Sequence, residues 1–386
     1  MKHDKFLPVL GCLALLMAGC GPAAHAAASR GPFVYVANKG RDSISQFAAP
    51  LSSGGALRPL SPAAVPAGPF PYTIAVDPQG TSAYATSSAS KIYQYTISAA
   101  TGRLTPKSPA TVATRSGGTA AIAFTPDGKS AYVVGTSISQ YSINPATGKL
   151  TPKSPATVAT PPNPEPIAVS PDGKYAYVAN CGGCGYAHKP KTPSRAAAGP
   201  APATRPAAKP SYLMAYRINP RTGALSSRPV AKVRTGNGAN WIAIAPDGTS
   251  AYVATSTGVW QYTISPATGE LFSKTPRSAG PAEHNIVISP DGKYAYVIGD
   301  TSRGVCQYRI NPRTGTLSPK PASTAPTVLN PEALALSADG KNAYVTSEND
   351  GKVAQYKIAP ATGKITPMSP ATVATASGSL GLAVTP

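Results

Sequence analysis

Three observations predict a seven-bladed β-propeller for this 386-residue chain. First, one phrase recurs seven times: an apolar run, then Pro-Asp-Gly-Lys or a variant, then Ala-Tyr-Val. Its tyrosines are Tyr35, Tyr84, Tyr132, Tyr177, Tyr252, Tyr296 and Tyr344, spaced by 49, 48, 45, 75, 44 and 48 residues. A period of roughly 40–50 residues marks propeller blades. Second, each period carries four short strand signals. Third, the ends are complementary. The first repeat begins at its second strand, Phe33-Val-Tyr-Val36, and a spare first strand, Leu380-Gly-Leu-Ala-Val384, follows the last repeat. That strand is expected to complete the first blade, so that the N- and C-terminal strands share it.

Each element has its own reason. Strand a is apolar, as in Ile74-Ala-Val76 and Ile242-Ala-Ile244. The following Asp-Gly suits a tight hairpin, because Gly tolerates positive φ and Asp bonds its own backbone. Strand b is Ala-Tyr-Val with its neighbours. Strand c carries Gln46-Phe47, Gln94-Tyr95, Gln140-Tyr141, Gln261-Tyr262, Gln307-Tyr308 and Gln355-Tyr356; only the fourth copy departs, with Ala215-Tyr216. A second turn follows, Pro-Ala-Thr-Gly at 145–148 or Pro-Arg-Thr-Gly at 312–315. Strand d is rich in proline, as in Lys149-Leu-Thr-Pro-Lys-Ser-Pro155. Proline removes ladder donors, which fits an outer edge.

The propeller should span 31–386, preceded by an export signal at 1–30. Lys2 and Lys5 precede an apolar run from Phe6 to Met17. Leu16-Met17-Ala18-Gly19-Cys20 is similar to a lipobox, with Cys20 the lipidated residue; cleavage after Ala24-His25-Ala26 is the alternative. Both readings place the chain outside the cytoplasm, in or beyond a bacterial envelope. Lipidation would make the anchor its one membrane contact.

The net charge is +20. The basic residues recur in the turns and on strand d, so the charge is expected to spread round the ring without making a groove. Such spreading favours loose attraction to anionic envelope material. No nucleic-acid-binding signature is present, no cofactor is implied, and a monomer is expected.

Residues 181–211 interrupt the fourth repeat between strands b and c, which accounts for the spacing of 75. The stretch Lys189–Pro210 is rich in Ala and Pro, with five basic residues and no apolar period. It reads as a tolerated loop or as a basic arm. Cys181 and Cys184 within it suggest a local disulfide outside the cytoplasm; a metal or redox role is the alternative, with only His188 nearby. Cys306, on a strand c, reads as a buried thiol.

Propeller topology sends the a–b and c–d turns to one face, and the b–c and d–a loops to the other. Asp77, Asp127, Asp172, Asp247, Asp291 and Asp339 fall in a–b turns, where a structural role is the default. Asp42, Glu165, Glu283, Asp300, Glu332, Glu348 and Asp350 fall on the second face. Counting back six from the residue after each strand a gives Tyr72, Ala120, Glu165, Asn240, His284, Glu332 and Leu380, a ring at the channel mouth. Glu165, Asn240, His284 and Glu332 are the candidate ligand-binding residues there. Asp300 and Arg303 lie on the next b–c loop of the blade that carries His284. A His beside a carboxylate and an Arg suits acid–base work on an ester or lactone. No metal-ligand set is expected.

The repeats, Ser-Pro-Asp-Gly-Lys-Tyr-Ala-Tyr-Val at 170–178 and 289–297 and Tyr-Val-Ala-Asn at 35–38 and 177–180, resemble those of the lactonase-like seven-bladed propellers. That family includes 6-phosphogluconolactonases and carboxymuconate lactonizing enzymes, as well as exported propellers that look like binding proteins. The resemblance covers 31–386 less the insertion. Its enzymes tend to show Pro-Arg-His-Ile before a strand a and Asn-Glu after a strand b. Here Pro281-Ala-Glu-His284-Asn285-Ile286 puts His284 in the place of the Arg and Asn285 in that of the His. Asp300 takes the place of the Glu, while Ser347-Glu348 keeps a carboxylate in the seventh repeat. The resemblance implies a lactonase whose catalytic residues would be His284, Asp300, Arg303 and Glu348. The departures favour instead a scaffold that binds a ligand or partner.

Overall fold

The structure, a computed structural model, describes residues 31–117, 121–182, 210–280, 284–299 and 304–386; of 321–323 it describes the backbone alone. It is a ring of seven four-stranded antiparallel sheets. Blade 1 pairs Ser379–Val384, as strand a, with Phe33–Asn38, then Ser43–Ala48 and Arg58–Pro66. Val34 faces Val384 and Val36 faces Leu382, so the two ends of the ring close in one sheet. The inner strands of blades 2 to 7 are Pro71–Val76, Ile122–Phe124, Pro164–Val169, Trp241–Ile244, Asn285–Ile288 and Pro331–Leu336. Among the described residues no helix is long and apolar enough to cross a membrane.

The core lies between blades. One apolar layer joins Tyr175, Leu213 and Ala215 of blade 4 to Ile242, Val253 and Tyr262 of blade 5, and other layers repeat it round the ring. Strand alternation explains this. Successive side chains of a strand face opposite sheet surfaces, and each surface packs on a neighbouring blade.

Two polar locks recur at the blade junctions. The strand-b tyrosine donates to a glycine carbonyl in the c–d turn of the next blade: Tyr35 to Gly102, Tyr84 to Gly148, Tyr132 to Gly223, Tyr252 to Gly315, Tyr296 to Gly363 and Tyr344 to Gly55, at 2.5–2.9 Å. Gly148 has φ +63° there, which only glycine adopts readily. Burial holds these phenols well above their ordinary pKa, so they remain donors. The second lock is the strand-c glutamine. Gln140 Nε2 donates to Pro155 O on its own strand d (3.0 Å), and its Oε1 accepts from Leu225 N of the next blade (2.6 Å). Gln46, Gln94, Gln261, Gln307 and Gln355 accept in the same way from Leu104, Leu150, Leu317, Ile365 and Leu57.

The junction of blades 4 and 5 lacks both locks. Ala215 stands in the glutamine position, and the buried Tyr177 hydroxyl has no partner. Tyr175 Oη bridges the junction instead, donating to Ala267 O at 2.8 Å. Cys181, just past strand b of blade 4, is buried and disulfide-bonded. Cys184, His188 and the rest of the inserted arm lie outside the described residues, as do the N-terminal signal and Cys20. Cys306 is buried on strand c of blade 6 and forms no disulfide.

Candidate functional site

Four of the ring residues sit at irregularities in the inner strands. Pairing of strands a and b skips between Pro71 and Thr73, between Pro164 and Ile167, and between Pro331 and Leu334. Tyr72, Glu165 and Glu332 fall within those skips. A β-bulge re-aims the side chain it carries. In blade 1 the skip falls between Leu382 and Ser379, which includes Leu380. Asn240 and His284 stand one residue before their strands, and their N–H groups donate to Ala254 O and Ile298 O (2.9 and 2.8 Å). Glu165, Asn240, His284 and Glu332 therefore form an arc across the consecutive blades 4 to 7. Glu165 is buried and the other three are half-buried.

The backbone leading into this arc is constrained. Phe70, Asn163 and Asn330, each just before the proline that opens a strand a, have φ of +47°, +58° and +47°. Such values are rare away from glycine, above all for a bulky residue such as Phe70. Their carbonyls accept from Ser88, Cys181 and Glu348 N–H groups of the same face. The Asn-Pro-Glu triplets at 163–165 and 330–332 repeat this turn and put a glutamate at the bulge in blades 4 and 7.

Other carboxylates of the second face are already engaged. Asp42 Oδ1 accepts from Phe70 N (2.9 Å) and Asp350 Oδ2 from Leu329 N (3.1 Å), so both tie down d–a loops. Glu348 Oε1 is 2.8 Å from Lys39 Nζ, an ion pair between the b–c loops of blades 7 and 1. Burial raises the pKa of the ring residue Tyr72, and the nearby Lys39 charge partly opposes that rise. Glu348, Lys39 and Tyr72 are thus grouped at blades 7, 1 and 2. No sequence signal announced Lys39, because its partner lies 309 residues away. Asp300, Arg303, Glu283 and Ala120 lie outside the described residues.

One side chain beside His284 lacks what burial normally demands. Asn285 is 1% exposed, and neither its Oδ1 nor its Nδ2 has a hydrogen-bond partner. Leaving such groups unpaired costs about 1–3 kcal/mol. At the same register in blade 1, a Cβ on Gly381 would meet the backbone of Tyr72–Ile74 in the next inner strand. Val287, on the same face of the strand as Asn285, packs into the core between blades 6 and 7, so position 285 faces blade 7, the blade of Glu332. Among the described residues no group of three or more His, Cys, Asp or Glu gathers to hold a metal.

The opposite face corrects one expectation. The basic residues there do line grooves: two, of about 880 and 1230 Å³, open between blades 3 and 4 and between blades 5 and 6, and both are lined by Lys and Arg. The a–b turn aspartates take part in structure as expected. Asp127, Asp172, Asp291 and Asp339 are partly desolvated, yet bonds from a neighbouring hydroxyl and backbone N–H, with the adjacent lysine, hold them below the usual carboxylate pKa.

The sequence profile described as "Lactonase, 7-bladed beta-propeller" matches residues 73–189 and 211–379. The chain belongs to that family. No curated protein matches the sequence. Solved structures similar to this lactonase propeller include a candidate 6-phosphogluconolactonase from Bacteroides uniformis, with 18% identity, TM-score 0.68, and 92% of this chain and 99% of that one covered. A second is the candidate 6-phosphogluconolactonase of Bacteroides fragilis, also at 18% and 0.68, covering 92% and 98%. A third is a periplasmic gluconolactonase from Pseudomonas aeruginosa, at 15% and 0.67, covering 92% and 99%. At these identities the likeness shows the fold.

Proposed function

We propose that this lactonase propeller hydrolyses a sugar lactone at the channel mouth of the second face. The family match supports the reaction class, and the unpaired, buried Asn285 amide beside His284 carries the placement. A buried water, or a polar ligand that enters from the mouth as the loop beside it shifts, would satisfy both ends of that amide. In the proposed reaction a water oxygen bonds to the lactone carbonyl carbon, the ring C–O bond breaks, and a hydroxy acid leaves. His284 takes the proton from the attacking water and returns it to the departing alkoxide. The sequence assigns Asp300 the part of orienting His284 and Arg303 that of stabilising the developing oxyanion. Glu165, Asn240 and Glu332 bind sugar hydroxyls, and Glu348 acts with Lys39 as an ion pair at the rim.

The substrate class we favour is an unphosphorylated sugar lactone, which suits an exported chain. Export rests on residues 1–30, with Cys20 as the anchored residue and Cys184 as the partner of Cys181. Hydrolysis of δ-gluconolactone and of 6-phosphogluconolactone by purified protein, followed by acid release, tests the proposal. Turnover should fall on the order of 100-fold in His284→Ala, and Asn285→Ala should raise KM. One observation favours binding without turnover: Glu348, the carboxylate kept from the family pattern, is already committed to Lys39. Hydrolysis no faster than the spontaneous rate with both lactones would leave the scaffold reading in place.

A further inference from the structure

Blades 4 and 6 are near-twins on the turn face. Tyr-Arg-Ile-Asn-Pro-Arg-Thr-Gly occurs at 216–223 and again, unchanged, at 308–315. The corresponding segments elsewhere replace both arginines, as in Tyr-Ser-Ile-Asn-Pro-Ala-Thr-Gly at 141–148. Ser-Pro-Asp-Gly-Lys-Tyr at 170–175 and 289–294 completes the duplication. These two blades form one wall of each groove.

The other wall comes from the preceding blade and supplies a lysine. Lys153 Nζ donates to Thr222 O (2.6 Å) and Ser142 Oγ (3.0 Å). Lys274 Nζ donates to Thr314 O (2.5 Å) and Thr263 Oγ1 (3.0 Å). Each lysine so pins the Pro-Arg-Thr-Gly turn that carries an arginine. The hydrogen-bond partners of each are neutral oxygens, and burial lowers the pKa of both lysines. The first groove then holds Lys129, Lys153, Lys174, Arg217 and Arg221 against Asp127 and Asp172. The second holds Lys274, Lys293, Arg309 and Arg313 against Asp247 and Asp291. All four arginines are exposed.

We propose that the two grooves are a paired binding site for an acidic polysaccharide, separate from the lactone site on the opposite face. The cations call for an anionic ligand, and the arginine forks suit carboxylate groups. The groove aspartates call for hydrogen-bond donors beside the anionic groups. They accept well from hydroxyls, as do the groove-lining Thr249, Thr316 and Ser142. A carboxylated sugar chain offers both kinds of group. Two like grooves on one rigid ring also allow a long chain to engage both, which raises its avidity over a short one.

Binding of the whole protein to polygalacturonate, trigalacturonate, dextran and single-stranded DNA at low salt tests this. Polygalacturonate should bind more tightly than trigalacturonate, and dextran should not compete. Arg309→Ala with Arg313→Ala should weaken polygalacturonate binding roughly tenfold, about 1.4 kcal/mol. The charge-matched pair Lys91→Ala with Lys352→Ala, on the other face, should leave it within about twofold. Both pairs should melt like the wild type. Absence of polygalacturonate binding, or equal loss in the two pairs, would overturn the proposal. Tighter binding of DNA with the same arginine dependence would replace the sugar polymer by a phosphate one.

Discussion

Replacing Gln140 by Ala tests whether the glutamine locks hold neighbouring blades together. The side chain is fully buried and bonded at both ends, to Pro155 O and Leu225 N. Pro155 is exposed, so water can replace its lost donor. Leu225 is buried, and its N–H would lose the side-chain acceptor, at about 1–3 kcal/mol. Removing the one lost side-chain methylene adds about 1 kcal/mol. The total is about 3 kcal/mol. For a ring of this size the unfolding entropy is roughly 0.7 kcal/mol per degree near 60 °C, so the melting temperature should fall by about 4–5 °C. Gln140→Met keeps the volume and should lose about 3 °C, which isolates the hydrogen-bond part. Calorimetry measures both, with exposed Thr151→Ala as control. A fall of less than about 1 °C in Gln140→Ala would refute the lock.

Removing residues 377–386 takes away the whole closing strand and its apolar Leu382 and Val384, and should lower the melting temperature by roughly 10 °C or more; unchanged cooperative melting would contradict closure. The depressed pKa values of Asp172 and Asp291 give a stability term that is present above the unfolded pKa near ~4 and is lost as pH falls through the lower folded value. The double variant Asp172→Asn with Asp291→Asn should flatten the acid limb of a urea-stability profile, and an unaltered limb would show that these turns contribute nothing to it. Cells fed a fatty-acid analogue should label the wild type and not Cys20→Ala; equal labelling would remove the anchor.

The fold was legible because it is written seven times. The spacing of the tyrosines, the strand-c glutamines and the complementary ends each pointed to the ring, and their physical roles agree. The candidate site was legible only in part. Register alone located Tyr72, Glu165, Asn240, His284, Glu332 and Leu380 at the ends of inner strands, since equivalent positions in a repeat share a height. It did not show that Asp42 and Asp350 tie loops, or that Glu348 meets Lys39. Those pairings depend on which loops lie side by side after closure. The basic grooves were hidden for the same reason: each needs a lysine from one blade and arginines from the next. The Arg-Ile-Asn-Pro-Arg duplication was a visible signal whose meaning required the neighbour.

Among the strands of the ring, the one that seals blade 1 leaves the ribosome after all the others, although its partner Phe33–Asn38 leaves before them. Until then blade 1 has three strands and a bare inner edge that includes Val34, Val36 and Asn38. A nascent chain can build blades 2 to 7 in order as they emerge. It cannot finish the circle. The unfinished ring stays an open arc with an unpaired strand at one end, the kind of edge that invites pairing with other chains. Two properties follow from one antiparallel pairing. Premature termination anywhere before residue 379 yields no closed product, and a circular permutant that joins Pro386 to Pro32 through an added Asn-Gly turn should complete blade 1 earlier in synthesis than the natural order does.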